Sequence, residues 1–213
     1  MKKIFIHGWG FSKDVWKDYY YIDDALFLDL PFHGESTDKL SSIEDFARIV
    51  SDRIDEPSVL VGWSVGATVS LLTSLINPNV KTLVLVGFSP KFSDEELGSS
   101  PKMVKAFFHN LRRDYECTVL NFRKSAVGSV YPCPFPKRDG ATKLLKDFAD
   151  LDITGLLENV KVKTFLINGT NDRIVNKNAA FFSKERIKDS EVIFLNSHHG
   201  PFLEWDLFEL LDD

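Results

Sequence analysis

Six short apolar runs, separated by longer amphipathic stretches, constrain this chain more than any other feature. The runs lie at 3–7, 26–30, 58–63, 82–87, 163–168 and 191–195, and several are continuous, such as Val59-Leu60-Val61 and Leu83-Val84-Leu85-Val86. A strand covered by helices on both faces has this character, whereas a half-exposed strand alternates polar and apolar residues. Helical patterns at 14–21, 43–54, 65–75, 177–187 and 202–211 fall between or after the runs, so the chain reads as βα units around a parallel sheet. Ser42 with Asp45, just ahead of an apolar-periodic segment, is a capping signal.

The alternation breaks once. About seventy residues separate the fourth run from the fifth, more than a single crossover helix needs. Helical pieces at 102–112, 115–125 and 141–148, and a Pro-rich stretch at 131–136, predict a helical insertion packed over the sheet as a lid. The alternative is two ordinary crossovers with a hidden strand drawn from 115–122. The expected organisation is one domain over 1–213, with the insertion at 89–160.

A chain of 213 residues supports one good-sized core. Its net charge of −5 lacks the basic balance that nucleic-acid binding requires, so no nucleic-acid partner is expected. Cys117 and Cys133 have no CxxC spacing and read as free thiols, and the adjacent pair His198-His199 does not make a zinc site. No metal or other cofactor is expected. Lys2 and Lys3 precede an apolar run that stops at His7, too short for a signal-peptide core, and no stretch suits a spanning helix. The sequon at Asn168 ends an apolar strand and reads as chance. A cytoplasmic monomer without membrane association is the expectation.

Ser64 sits where an apolar strand meets an apolar helix, in Gly62-Trp63-Ser64-Val65-Gly66. A nucleophile exposed on a sharp strand-to-helix turn needs small neighbours where the two elements nearly touch, and the new helix directs free N–H groups at the reaction centre. A serine hydroxyl also needs a base. Among His7, His33, His109, His198 and His199, only the last two follow the final strand, and His199 is favoured because Gly200-Pro201-Phe202 turns the chain after it. Asp172, in the loop after the fifth run, is placed to orient that base. The backbone N–H groups of Val65 and Trp9 are the candidate oxyanion donors, Trp9 lying in the glycine-bracketed loop His7-Gly8-Trp9-Gly10.

At these residues the sequence resembles the α/β-hydrolase superfamily and, more narrowly, the biotin-pathway pimeloyl-acyl-carrier-protein methyl ester esterases. That family pairs an H-G-W-G loop with a G-W-S-x-G elbow, a G-x-x-D-x-[IV]-V acid loop and an H-x-P-F base loop. All four stand here, at 7–10, 62–66, 169–175 and 199–202. Asp29-Leu30-Pro31 leading to Gly34 and Ser36 resembles a further family segment, with Phe32 where glycine is usual. The resemblance implies an α/β-hydrolase fold with a minimal, mostly parallel six-stranded sheet in the order 4-3-5-6-7-8 by superfamily numbering. It implies a serine esterase working through an acyl-enzyme.

Between Leu97 and Arg138 eight basic residues face only Asp114 and Glu116, on a chain that is acidic as a whole. A basic lid suits an acidic or phosphate-bearing partner. Acyl carrier protein fits both that charge and the resemblance, with Arg112, Arg113, Arg123 and Lys124 as its expected contacts. The bland reading is a solvated helix face. Trp9, Trp63, Phe107, Phe108 and Phe122 are the expected lining of an acyl slot. A general short-chain carboxylesterase, a menaquinone-pathway-type lyase and a non-catalytic ligand receptor on the same scaffold are the alternatives.

Overall fold

The computed structural model describes residues 1–40 and 42–210. The six apolar runs form β1 (Lys2–Ile6), β2 (Ala25–Leu28), β3 (Ser58–Trp63), β4 (Val80–Val86), β5 (Lys163–Gly169) and β6 (Ser190–Leu195). They make one sheet in the order β2-β1-β3-β4-β5-β6, with every neighbouring pair parallel. This is the expected order, and it places β3 and β4 at the centre. Every residue of β3 is buried, while the edge strands β2 and β6 are only partly so.

The two faces separate by alternation along the strands. Ile4, Ile6, Leu60, Leu83, Leu85 and Leu166 belong to one core, which also takes in Ile43, Phe46 and Val50. Phe5, Val59, Val61, Val84, Val86 and Ile167 belong to the other, with Val15, Trp16, Tyr19, Ala179 and Phe202. Side chains of a strand point alternately to its two faces, so a continuous apolar run supplies both cores at once.

Helices cover both faces. α1 (Ile43–Asp52) begins at Ser42, whose hydroxyl accepts the Asp45 N–H at 3.2 Å as its sequence signal predicts. α2 (Val65–Ile76) is the apolar helix that follows β3. Between β4 and β5 lie α3 (Pro101–Arg113), α4 (Tyr115–Val127) and α5 (Arg138–Asp150), with no strand among the described residues there. The hidden strand considered over 115–122 is therefore helix. Asp114 ends α3 and caps α4 through its bond to Cys117 N–H, which makes the two helices a tight hairpin. α6 (Asn178–Arg186) joins β5 to β6.

Two expectations change. The segment expected as a helix over 14–21 is a 3-10 helix, Lys13–Tyr19. The helix expected over 202–211 is only a 3-10 turn, Pro201–Leu203, followed by turns; Leu211 lies outside the described residues. The reason is local competition for backbone groups. Asp206 takes the N–H of Phe208, while the Tyr19 hydroxyl accepts the N–H of Leu207 and donates toward the carbonyl of Trp205. No described helix is long and apolar enough to cross a membrane.

Candidate active site

Ser64 stands between the last residue of β3 and the first of α2 with φ 56° and ψ −117°. A non-glycine residue there is strained, and such strain persists only where its surroundings enforce it. They do so here by proximity. A Cβ on Gly62 would lie 2.3 Å from the Gly66 carbonyl oxygen, and one on Gly66 would lie 2.2 Å from that of Ile6. The two glycines of the motif thus let β3, α2 and β1 meet at the turn. The Ser64 N–H donates to the Val86 carbonyl at 2.8 Å, which fixes the turn to the next strand.

His199 and Asp172 come together from loops after β6 and β5. His199 Nδ1 lies 2.6 Å from Asp172 Oδ2, and both side chains are almost wholly buried. The other Asp172 oxygen accepts the N–H groups of Ile174 (2.7 Å) and Val175 (3.0 Å). That carboxylate is thereby oriented by its own loop. With Nδ1 donating to Asp172, the unprotonated ring nitrogen is Nε2, which is buried without a hydrogen-bond partner among the described residues. Geometry leaves it free to receive a proton. His198, by contrast, is half-exposed, near Glu204 and over Gly128.

The reading from sequence missed two supports of His199. Gly87, at the end of β4, has φ +56°, and a Cβ there would lie 2.6 Å from His199 Cε1. Its only signal was a glycine directly after a buried strand. Trp63 donates its indole N–H to the His199 carbonyl at 2.8 Å and packs against the imidazole and Phe202. Trp63 was expected to line the acyl slot; it is 1% exposed and lies outside the cavity lining. As the residue before Ser64 on a strand, it points to the opposite face, so the expectation is corrected.

The loop bearing Trp9 lies against Ser64: a Cβ on Gly8 would be 3.2 Å from the Ser64 Cβ. The loop is held by buried groups. His7 Nδ1 donates to the Gly8 carbonyl (2.7 Å), and its Nε2 lies 3.1 Å from the Leu30 backbone nitrogen and 3.3 Å from Asp29 Oδ1. Because the peptide is planar, fixing the Gly8 carbonyl also fixes the Trp9 N–H, which points the opposite way. The Gly10 N–H donates to His33 Nε2 at 3.1 Å, and His33 Nδ1 donates to the Pro31 carbonyl at 2.8 Å. Burial, then the nearby His7, lowers the His33 pKa to about 3, so this ring stays a neutral acceptor. Burial alone would raise the pKa of Asp29, but His7 and the N–H groups of Lys13 and Glu35 outweigh it and bring it to about 2. Phe32, where glycine is usual in the resembled family, adopts φ 66°, and its ring fills space beside Gly140.

A cavity of about 610 Å³ opens from Ser64, Val65 and Trp9 toward the insertion. Phe107, Phe108 and Phe122 line it, as do Phe92, Leu145 and Phe148, which the sequence alone did not single out. The indole N–H of Trp9 donates to the Ala141 carbonyl at 2.7 Å, so its ring presents an apolar surface. Arg113 and Asp114 also border the cavity. Of the four expected carrier contacts, Arg112, Arg113 and Lys124 are exposed. Arg123 is not: it is 1% exposed and bonded to backbone carbonyls, so its expected place on a docking surface is corrected. A guanidinium on the inner side of α4 cannot meet a partner.

The chain is 29% identical over 230 residues to the pimeloyl-acyl-carrier-protein methyl ester esterase of Nitrosomonas europaea, covering 95% of this chain and 90% of that protein. It is likewise 29% identical to the esterase of the same name from Vibrio campbellii, covering 94% and 88%. Among solved structures, a hydrolase from Oleispira antarctica superposes with TM-score 0.85 at 15% identity, covering all of this chain and 90% of that one. An esterase from Exiguobacterium antarcticum does so with TM-score 0.84 at 19% identity, covering all of this chain and 88% of that one. The alpha/beta hydrolase family matches residues 4–209. With an elbow serine, a buried His–Asp pair and this sheet in one chain, the protein belongs to the alpha/beta hydrolase family and is a serine hydrolase.

Proposed function

We propose that Ser64, His199 and Asp172 carry the hydrolysis of a carboxylic ester. The carrying observation is the His199–Asp172 pair at 2.6 Å, its Nε2 buried without a partner among the described residues, in a chain that also holds a strained elbow serine. His199 Nε2 takes the proton from the Ser64 hydroxyl as its oxygen attacks the ester carbonyl. The oxyanion is held by the N–H groups of Val65 and Trp9, neither of which has a backbone hydrogen-bond partner among the described residues. His199 then returns the proton to the departing alcohol, leaving an acyl group on Ser64. Water, deprotonated by His199, attacks the acyl-enzyme and frees the acid. Asp172 holds the imidazole and stabilises its positive charge throughout.

The substrate in this reading is a pimeloyl-acyl-carrier-protein methyl ester, and the reaction belongs to biotin synthesis. Relatives bearing that name match nearly the whole chain, which supports it. So does a cavity walled by aromatic rings, suited to an acyl chain under the insertion acting as a lid. Exposed Arg112, Arg113 and Lys124 supply positive charge for the acidic carrier.

The experiment compares methanol release from the carrier-linked methyl ester with turnover of p-nitrophenyl butyrate. Ser64→Ala should abolish both, and activity near wild type would sink the catalytic assignment. Charge reversal at Arg112, Arg113 and Lys124 should slow the carrier-linked reaction about tenfold or more while sparing the free ester. Equal effects on the two substrates would instead identify a general short-chain carboxylesterase.

A further inference from the structure

Arg123 is among the largest fully buried side chains of the protein, and no carboxylate pairs with it among the described residues. Its Nε–H donates to the Gly10 carbonyl at 2.7 Å. Its two terminal nitrogens donate to the carbonyls of Cys133 (2.8 Å) and Pro134 (2.7 Å). The guanidinium also lies 5.8 Å from the Phe11 ring centroid and 5.2 Å from that of Phe135. Burying a cation is costly, and well-packed apolar residues commonly replace buried charges without loss of stability. What an apolar side chain could not do is hold three carbonyls at fixed positions.

One of those carbonyls belongs to the loop beside Ser64. Three consecutive peptide units of that loop are each held by a different buried side chain: Gly8 C=O by His7, Gly10 N–H by His33, and Gly10 C=O by Arg123. The two histidines sit on the sheet side of the molecule, on β1's end and the loop after β2. From the insertion, Arg123 on α4 reaches the backbone of this loop, where the Cys133 thiol also lies 3.9 Å from the Gly10 carbonyl oxygen and the Trp9 indole bonds the Ala141 carbonyl. Arg123 ties the loop to both α4 and the 133–134 segment.

The geometry points to Arg123 as a positioning residue for the oxyanion loop. Through the Gly10 carbonyl it sets the plane of the loop so that the Trp9 N–H meets the developing oxyanion, and it makes the placement of the insertion a condition of an assembled site. This rests on the proposed roles of Ser64 and Trp9. It adds that the insertion contributes to the chemical step as well as to substrate choice. A misplacement of about 1 Å in a catalytic group can cost on the order of a hundredfold in rate, so loss of the clamp should be read in kcat.

The test measures kcat and KM on p-nitrophenyl butyrate, with melting temperature, for Arg123→Met, Arg123→Lys, Arg123→Ala and the control Tyr115→Phe. Tyr115 donates to the Pro136 carbonyl at 3.2 Å, so its loss loosens the same part of the insertion without touching Gly10. Arg123→Met should lower kcat roughly ten- to a hundredfold with KM nearly unchanged, while Tyr115→Phe leaves kcat at the wild-type level. Millimolar methylguanidinium should restore part of the kcat of Arg123→Ala, whereas sodium or urea at equal concentration should not. If Arg123→Met does not fold, Arg123→Lys carries the same comparison, because an ammonium lacks the planar fork that reaches all three carbonyls. Wild-type kcat in Arg123→Met or Arg123→Lys, or an equal loss in Tyr115→Phe, would overturn the proposal. Activity retained by Ser64→Ala would instead overturn the catalytic reading beneath it, so the two failures are separable.

Discussion

The residues that decide this site are held by neighbours with no chemistry of their own. Gly87 is the sharpest case, since its backbone lies in the left-handed region and its missing Cβ leaves room for the His199 ring. Gly87→Ala should therefore push His199 away from Asp172 and reduce kcat tenfold or more, with a stability loss of about 1–3 kcal/mol. Steady-state kinetics together with thermal melts would check it; unchanged kcat would mean that the ring can retreat without losing its bond to Asp172. His33 makes a second prediction. Its folded pKa of about 3 lies below the value near 6.5 expected of an unfolded histidine, so the unfolded state binds more protons between those limits. Stability from this group is fully present above pH 6.5 and is lost as pH falls toward 3. Asp29 adds a loss in the same direction between its ordinary value of 3.8 and about 2. Melting temperature followed from pH 8 to pH 4 should fall more shallowly in His33→Gln than in wild type.

Among the elements, α3 differs from the other helices in what it covers. Only Leu111 of its thirteen residues is buried, while Val104, Phe107 and Phe108 face the cavity. An amphipathic helix normally draws its stability from the face it buries, and here most of that face borders open space. Leu111→Ala should accordingly cost about 2–4 kcal/mol in denaturant unfolding. Phe107→Ala and Phe108→Ala should cost far less than a core aromatic would, yet raise KM for longer acyl esters several-fold. Unfolding curves and a chain-length series of p-nitrophenyl esters separate the two effects. A large stability loss with unchanged KM would show that the rings pack the insertion and do not contact substrate.

For the whole molecule, the parallel sheet explains why residues so distant in sequence converge. All six strands run the same way, so the loops after β1, β3, β5 and β6 leave at one end of the sheet. Those loops carry Trp9, Ser64, Asp172 and His199. Ligand sites of open α/β sheets lie at the carboxyl ends of the strands for this reason. Residues of the insertion between β4 and β5 line the same cavity as Ser64.

Much of this was legible in the sequence. Continuous apolar runs announce buried parallel strands, and strand order followed from the resemblance those runs and motifs carry. The loops carrying Ser64, Asp172 and His199 were readable because each shows particular residues at adjacent positions. Other features depended on which way a side chain faces. Trp63 and Arg123 are an aromatic and a cation whose chemistry suits an acyl slot and an acidic partner, and the fold turns both inward to hold backbone carbonyls. The chain after Phe202 has helical periodicity, but Tyr19, nearly two hundred residues away, takes its backbone groups. Sequence by itself determined the strands and the chemistry available at each loop, because these rest on periodicity and local backbone needs, while the order of the sheet came only through the resemblance. Only the tertiary structure decided which side chains reach the cavity and which hold it open, because facing and burial arise from contacts between distant segments.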